Sequence, residues 1–151
     1  MIGRTPQPAN TEGTPGGVVF SWPLRVYWED TDAGGVVFYA NYLKYFERAR
    51  TEWLRAAGFE QQTLRDTVGG MFVVTDASVK YHRPARLDDQ LLVSTWIQDA
   101  GRACMTIEQQ ARLGPHADGD VLCDATIRIG WVRADSFKPA RIPSSIVKAL
   151  S

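Results

Sequence analysis

Cysteine and histidine are scarce in this chain. Its 151 residues carry two of each, Cys104, Cys123, His82 and His116. The cysteines stand in separate strand-like segments with no Cys-x-x-Cys and no histidine at ligand spacing, which argues against a disulfide framework or a zinc centre. Net charge is missing too. Seventeen Lys and Arg balance seventeen Asp and Glu, so no global basic field draws the protein to nucleic acid or to an anionic membrane, and any anion binding is local. No hydrophobic run reaches the length of a membrane span. Met1 to Ser21 has neither the basic start and apolar core of a signal peptide nor a cleavage-like end, and the chain reads as cytoplasmic. The length suits one domain with a sizeable core.

The first stretch is rich in Pro, Gly, Thr and Asn. Pro6, Pro8, Pro15 and the Gly16-Gly17 pair break every periodicity, so residues 1–20 are expected to be a flexible leader and 21–151 a single domain. Leu24 to Trp28 alternates and is rich in β-formers, which predicts a first strand. After an acidic turn, Tyr42, Tyr45, Phe46, Ala49, Trp53, Leu54 and Ala57 recur at helical spacing, predicting a long amphipathic helix that ends near Gly58. Four further strands are expected over Met71 to Tyr81, Leu91 to Ile97, Ala103 to Leu113 and Val121 to Val132, with a hairpin at Gly101 and a longer turn over 114–119. The order β, long α, then four β reads as an α+β domain. One helix packs on a curled antiparallel sheet of five or six strands.

The segment Glu29-Asp30-Thr31-Asp32-Ala33-Gly34-Gly35 lies between that first strand and the helix. An acidic turn feeding a helix start sets a carboxylate beside unpaired backbone N–H groups, which stabilise a forming oxyanion and suit acyl transfer. Asp residues also hydrogen-bond their own backbone two residues on, so Asp30 and Asp32 read equally well as turn residues at this point. Gly34 and Gly35 allow a tight turn and a close approach of backbone to substrate. Asn41 is placed to cap the helix or to order the loop. Arg83 and Arg86, flanking Pro84, are expected to fix the turn beside Asp88 and Asp89. His82, at a strand end, and His116, in a polar turn, belong to no metal-ligand or catalytic histidine spacing, and both read as structural or solvated.

Three motifs in order carry a resemblance. Asp-Thr-Asp-Ala-Gly-Gly-Val-Val-Phe-Tyr-Ala-Asn-Tyr at 30–42, Tyr-Phe-Glu-Arg-Ala-Arg-Thr-Glu at 45–52 and Tyr-His-Arg-Pro-Ala-Arg-Leu-Asp-Asp at 81–89 resemble the hotdog-fold acyl-CoA thioesterases, over about Leu24 to Pro143. The 4-hydroxybenzoyl-CoA and the Tol-Pal-associated subgroups both fit. The resemblance implies a sheet wrapped around a central helix, a homodimer with a continuous sheet and active sites at its interface, and a dimer of dimers. It assigns Asp32 as the catalytic carboxylate, nucleophile or general base, with Asp30 as supporting acid and the Tyr39 backbone N–H as oxyanion donor. Arg102 matches a position where the family often has a phosphate-contacting cation, with Lys138 and Arg141 as further candidates for coenzyme A, which enters as part of the substrate. The Tol-Pal-associated subgroup usually carries His where this chain has Tyr39, while the 4-hydroxybenzoyl-CoA type has an aromatic there. The resemblance therefore leaves the acyl group open between aroyl and short aliphatic. A second reading is a non-catalytic module that binds acyl-CoA or acyl carrier protein in an envelope or lipid-synthesis complex. A hotdog hydratase needs a His with an acidic partner, and no His is near the loop in the sequence.

Overall fold

The computed structural model describes residues 19–151, so the expected leader falls almost wholly outside the described residues. Five antiparallel strands form one sheet: β1 (Phe20–Arg25), β2 (Gly70–Tyr81), β3 (Gln90–Ala100), β4 (Cys104–Leu113) and β5 (Val121–Arg133), in the spatial order β1-β3-β4-β5-β2. No sixth strand is present among the described residues. Register shifts at Val74/Asp76, Ile97/Asp99 and Ala111/Arg112 mark bulges, which add bend and twist and let the sheet curl.

Helix α1 (Tyr42–Ala56) lies against the sheet. The periodic residues named above are the ones it hides: Tyr42, Tyr45, Phe46, Ala49, Trp53 and Leu54 are buried, meeting Leu91, Val93, Ile107 and Ile127 of the sheet in one core. Gly58, at φ +97°, ends the helix, and Phe59 N–H donates back to the Leu54 carbonyl at 2.8 Å. Buried polar bonds tie helix to sheet. Gln109, fully buried on β4, donates to the Phe46 carbonyl (3.0 Å) and to Thr95 Oγ1 (2.9 Å).

The first strand ends earlier than its β-forming residues predict. Pairing with β3 runs from Phe20↔Thr95 to Arg25↔Gln90; Val26 then bonds Asp88 and Asp89, and 28–30 winds into a 3₁₀ turn. A carboxylate causes this, since Asp30 Oδ2 accepts the Tyr27 N–H at 2.8 Å. Tertiary context overrides β-propensity here. Periodicity also missed three short elements: α2 (Gln61–Thr63), the π-turn Leu64–Val68 that follows it, and α3 (Ser144–Leu150). Each is too short for a period to show, although Ile146 and Leu150 are both buried at i,i+4 spacing. Arg83 pairs with Asp120 rather than with the turn at 88–89, because the end of β2 runs beside the 114–120 turn. The Arg86 backbone N–H does hold that turn, donating to Asp89 Oδ2 at 2.8 Å.

Gly70 opens β2 directly against the buried Trp131 indole. A Cβ there would sit 2.3 Å from Trp131 Cζ2. Gly70→Ala is expected to destabilise the fold by about 2–3 kcal/mol, seen in thermal melts as a Tm lower by roughly 5–10 °C; an unchanged Tm would mean the ring moves freely.

Candidate active site

The segment from Thr31 to Asn41 is held on both sides. Asp32 N–H donates to the Val36 carbonyl (2.9 Å), Gly35 N–H to the Asp32 carbonyl (3.0 Å), Phe38 N–H to the Asp30 carbonyl (2.9 Å) and Val37 N–H to the Ala85 carbonyl (2.9 Å). Gly35, at φ +80°, occupies the left-handed region that the turn requires.

The two acidic residues have different environments. Asp30 is 5% exposed. Its Oδ1 accepts Asn41 Nδ2 at 2.8 Å and its Oδ2 accepts the Tyr27 N–H. Asn41 makes no side-chain cap to α1; it orders the loop instead. The buried Tyr45 hydroxyl, beside Asp30, has no partner of good geometry among the described residues. Burial, reinforced by the nearby Asp30 charge, pushes the Tyr45 phenol up, and burial raises Tyr42 to about 12, so both stay protonated and neither serves as a base. Asp32 is exposed at the tip of the turn. Its Oδ1 accepts the Gly34 N–H at 2.8 Å, the local turn bond that Asp favours. Oδ2 has no partner among the described residues. A Cβ on Gly34 would lie 3.3 Å from Asp32 Oδ1, so a larger residue there would crowd the carboxylate.

Downstream, the 3₁₀ turn Tyr39–Asn41 runs into α1, so the Tyr39 N–H heads a helical segment. No acceptor takes that N–H among the described residues. Free donors at such an end carry part of the helix's positive pole. The Tyr39 carbonyl is occupied: Tyr81 OH, from the end of β2, donates to it at 2.9 Å. Tyr39, Tyr42, Tyr81, His82 and Arg83 line a cavity of about 250 Å³ here. Sequence reasoning missed both Tyr81 and His82, because the strand that brings them is forty residues downstream. His82 Nε2 lies 2.8 Å from Asp124 Oδ2. A histidine with an acidic partner thus stands beside Tyr39, which corrects the expectation that none is near the loop. Removing the Tyr81 hydroxyl frees the Tyr39 peptide. Tyr81→Phe is expected to lower turnover about 5-fold, the worth of one hydrogen bond near 1 kcal/mol, with little change in Tm; unchanged kinetics would show that the clamp is idle.

The candidate phosphate-binding cations lie elsewhere. Arg102 is in the β3–β4 hairpin, and its carbonyl accepts the Ile142 N–H at 2.8 Å, which brings Arg141 beside it. Lys138 is in the turn after β5, its carbonyl bonded by the Arg133 N–H. Arg141, Arg133 and Arg65 line a cleft of about 700 Å³. In the sheet register Gly70 faces Arg133 and Tyr81 faces Cys123. The cations and the acidic loop therefore stand at opposite ends of β2 and β5, ten residues or roughly 33 Å apart at strand rise. One copy of the chain does not bring them together.

Burial pushes the Cys123 thiol up, which keeps it protonated and a poor nucleophile. Cys104 Sγ accepts Arg128 Nη2 at 3.1 Å and faces Gly130 in the sheet register, at the end of β5 away from the acidic loop. Among the described residues no cluster of His, Cys, Asp and Glu suits a metal ion, and no helix is long and apolar enough to cross a membrane.

A helix wrapped by a curled antiparallel sheet, with an acidic turn delivered to the helix start, defines a hotdog thioesterase. Residues 34–119 match the Thioesterase superfamily, and the chain belongs to that family of enzymes. It is 42% identical over 130 residues to the acyl-CoA thioesterase YbgC of Haemophilus influenzae, covering 86% of this chain and 93% of that protein. It is likewise 42% identical to the acyl-CoA thioester hydrolase YbgC of Escherichia coli O157:H7, covering 85% and 93%. Among solved structures, a probable thioesterase from Bartonella henselae superposes with a TM-score of 0.77 at 34% identity, over 83% of this chain and all of that one.

Proposed function

We propose that the protein hydrolyses acyl-CoA thioesters to the free acid and CoA thiol, with Asp32 as the catalytic carboxylate. The observation that carries this reading is the pairing of an exposed carboxylate, oriented through Oδ1 by the Gly34 N–H, with an unoccupied N–H at Tyr39. As general base, Asp32 takes a proton from water, the resulting hydroxide adds to the carbonyl carbon, and the C–S bond breaks to release the thiolate. As nucleophile, its free oxygen adds instead, the thiolate leaves, and water cleaves the mixed anhydride. In both, the carbonyl oxygen gains charge that the Tyr39 N–H receives, and one such donor contributes about 3–4 kcal/mol to the transition state. The names of the curated relatives support hydrolysis over mere binding.

The arrangement needs two copies. Of the two sheet edges, β1 is six residues long and contains Pro23, which blunts it; β2 is twelve residues long with no proline. Pairing β2 with β2 about a twofold axis sets the Arg141 end of one copy beside the Asp32 end of the other, so that the coenzyme A phosphates meet Arg102, Lys138 and Arg141 while the thioester meets the loop. Sedimentation is expected to give at least twice the 16.8 kDa chain mass. The activity itself is tested by thiol trapping with a panel of benzoyl and short aliphatic CoA esters. Absence of thiol release from every member would refute it.

A further inference from the structure

A second cavity, of about 140 Å³, lies between the latter half of α1 and strands β2, β4 and β5, where Leu150 of α3 also lines it. Its walls include Trp53, Leu54, Phe72, Met105 and Ile107, and its polar lining residues are Glu47, Arg50 and Gln61. Two of the three are linked through Thr51 of α1: Gln61 Nε2 donates to Thr51 Oγ1 (3.0 Å), and Thr51 Oγ1 donates to Glu47 Oε2 (2.7 Å).

Arg50 is different. Its one hydrogen-bond acceptor among the described residues is the neutral Gln109 Oε1, at 2.9 Å. No carboxylate among the described residues lies within ion-pair distance of it. Gln109 is itself immobile, because its amide nitrogen is committed to Phe46 and Thr95, so its oxygen holds the guanidinium in place at the cavity wall. Burial pulls the Arg50 pKa down from its ordinary value, and the charge of Glu47, which lies beyond ion-pair distance, offsets part of that loss. A guanidinium has five N–H donors in a planar fork that matches a carboxylate.

We infer that this cavity receives an acyl group ending in a carboxylate, recognised by Arg50; the inference rests on the acyl-CoA thioesterase reading above. The volume agrees with that class, since an engineered cavity of about 150 Å³ accepts benzene and a four- or five-carbon chain is of similar bulk. The position agrees as well. Phe72 to Val74, on the cavity wall, and Tyr81, which holds the Tyr39 peptide, are seven to nine residues apart on β2, roughly 23–30 Å. No short acyl group spans that within one copy. Antiparallel twofold pairing of β2 sets Tyr81 of a second copy opposite Gly70 to Phe72 of the first, so the cavity of one copy opens toward the loop of the other. The thioester then lies on one copy's loop with its acyl tail in the other's cavity.

The discriminating measurement is kcat/KM for glutaryl-CoA against pentanoyl-CoA, which have equal chain length and differ at the terminal carboxylate. The unmodified enzyme is expected to favour glutaryl-CoA by about 10-fold or more, as one charge-assisted bidentate contact supplies. Arg50→Met is expected to reverse the ratio, and Arg50→Lys to keep part of it. Equal rates or a pentanoyl preference in the unmodified enzyme would overturn the inference, with no variant needed, and so would an unchanged ratio in Arg50→Met. Turnover of pentanoyl- or benzoyl-CoA without glutaryl-CoA would sink this inference alone; no turnover of any acyl-CoA would remove both readings. In calorimetry, Asp32→Asn protein is expected to bind glutaryl-CoA more tightly than pentanoyl-CoA, and the opposite order would again overturn it.

Discussion

Asp32→Asn is expected to lower CoA thiol release by about 10³-fold or more while leaving Tm within a degree or two, because the change removes the base or nucleophile and little of the fold. Asp32 is exposed and its side chain makes one local bond, to the Gly34 N–H. An asparagine Oδ1 accepts the same bond with the same shape, so the turn persists. The amide lacks the basicity to take a proton from water and is a poor nucleophile toward a thioester. The measurement is a thiol-trapping assay beside a thermal melt. Turnover within 10-fold of the parent would remove Asp32 from its catalytic role.

Two residues earlier, the expected result is the reverse. Asp30→Ala is expected to destabilise the fold by about 2–4 kcal/mol, since it strands two donors, the Tyr27 N–H and Asn41 Nδ2, in a site that is 5% exposed. Activity falls as well, because Asp30 also shapes the entry to the loop, but it falls through disorder. Chemical denaturation reads the first effect, and a rise in KM accompanying the loss of kcat reads the second. An Asp30→Ala protein as stable as the parent would show that the Asp30 cluster contributes nothing to the fold.

The pair shows how far a sequence reaches. Both aspartates stand in one short acidic turn, and nothing in their order distinguishes the buried one from the exposed one; Tyr27, Asn41 and Tyr45, which close over Asp30, meet only after the chain has turned. The helix was legible because Tyr42, Tyr45, Phe46, Ala49, Trp53 and Leu54 repeat at 3.6 residues, and that period is a direct consequence of having one face to bury. The strands β2 to β5 were legible as runs of β-formers bounded by turn residues rather than by alternation, and β3 is buried over six consecutive residues. The first strand was misplaced by several residues because Tyr27 and Trp28 are good β-formers whose backbone is claimed by a carboxylate three residues away. The short elements 61–68 and Ser144–Leu150 left too few residues to establish any period.

Partners of the site residues were less legible than the residues themselves. Tyr81 reaches Tyr39, His82 reaches Asp124 and Arg50 reaches Gln109 across separations of 42, 42 and 59 residues. Spacing along a chain carries no information about such contacts.

By itself, then, the sequence determined the α+β class, the long helix, the four later strands and the acidic loop at a helix start, since each is written in local periodicity or turn chemistry. The tertiary structure alone decided which aspartate is buried, which histidine stands beside Tyr39, that the candidate phosphate cations lie a strand's length from the loop, and that Arg50 lines a cavity with the neutral Gln109 oxygen as its hydrogen-bond acceptor. Those facts depend on strand order and register, and these arise when distant segments compete to bury the same apolar faces.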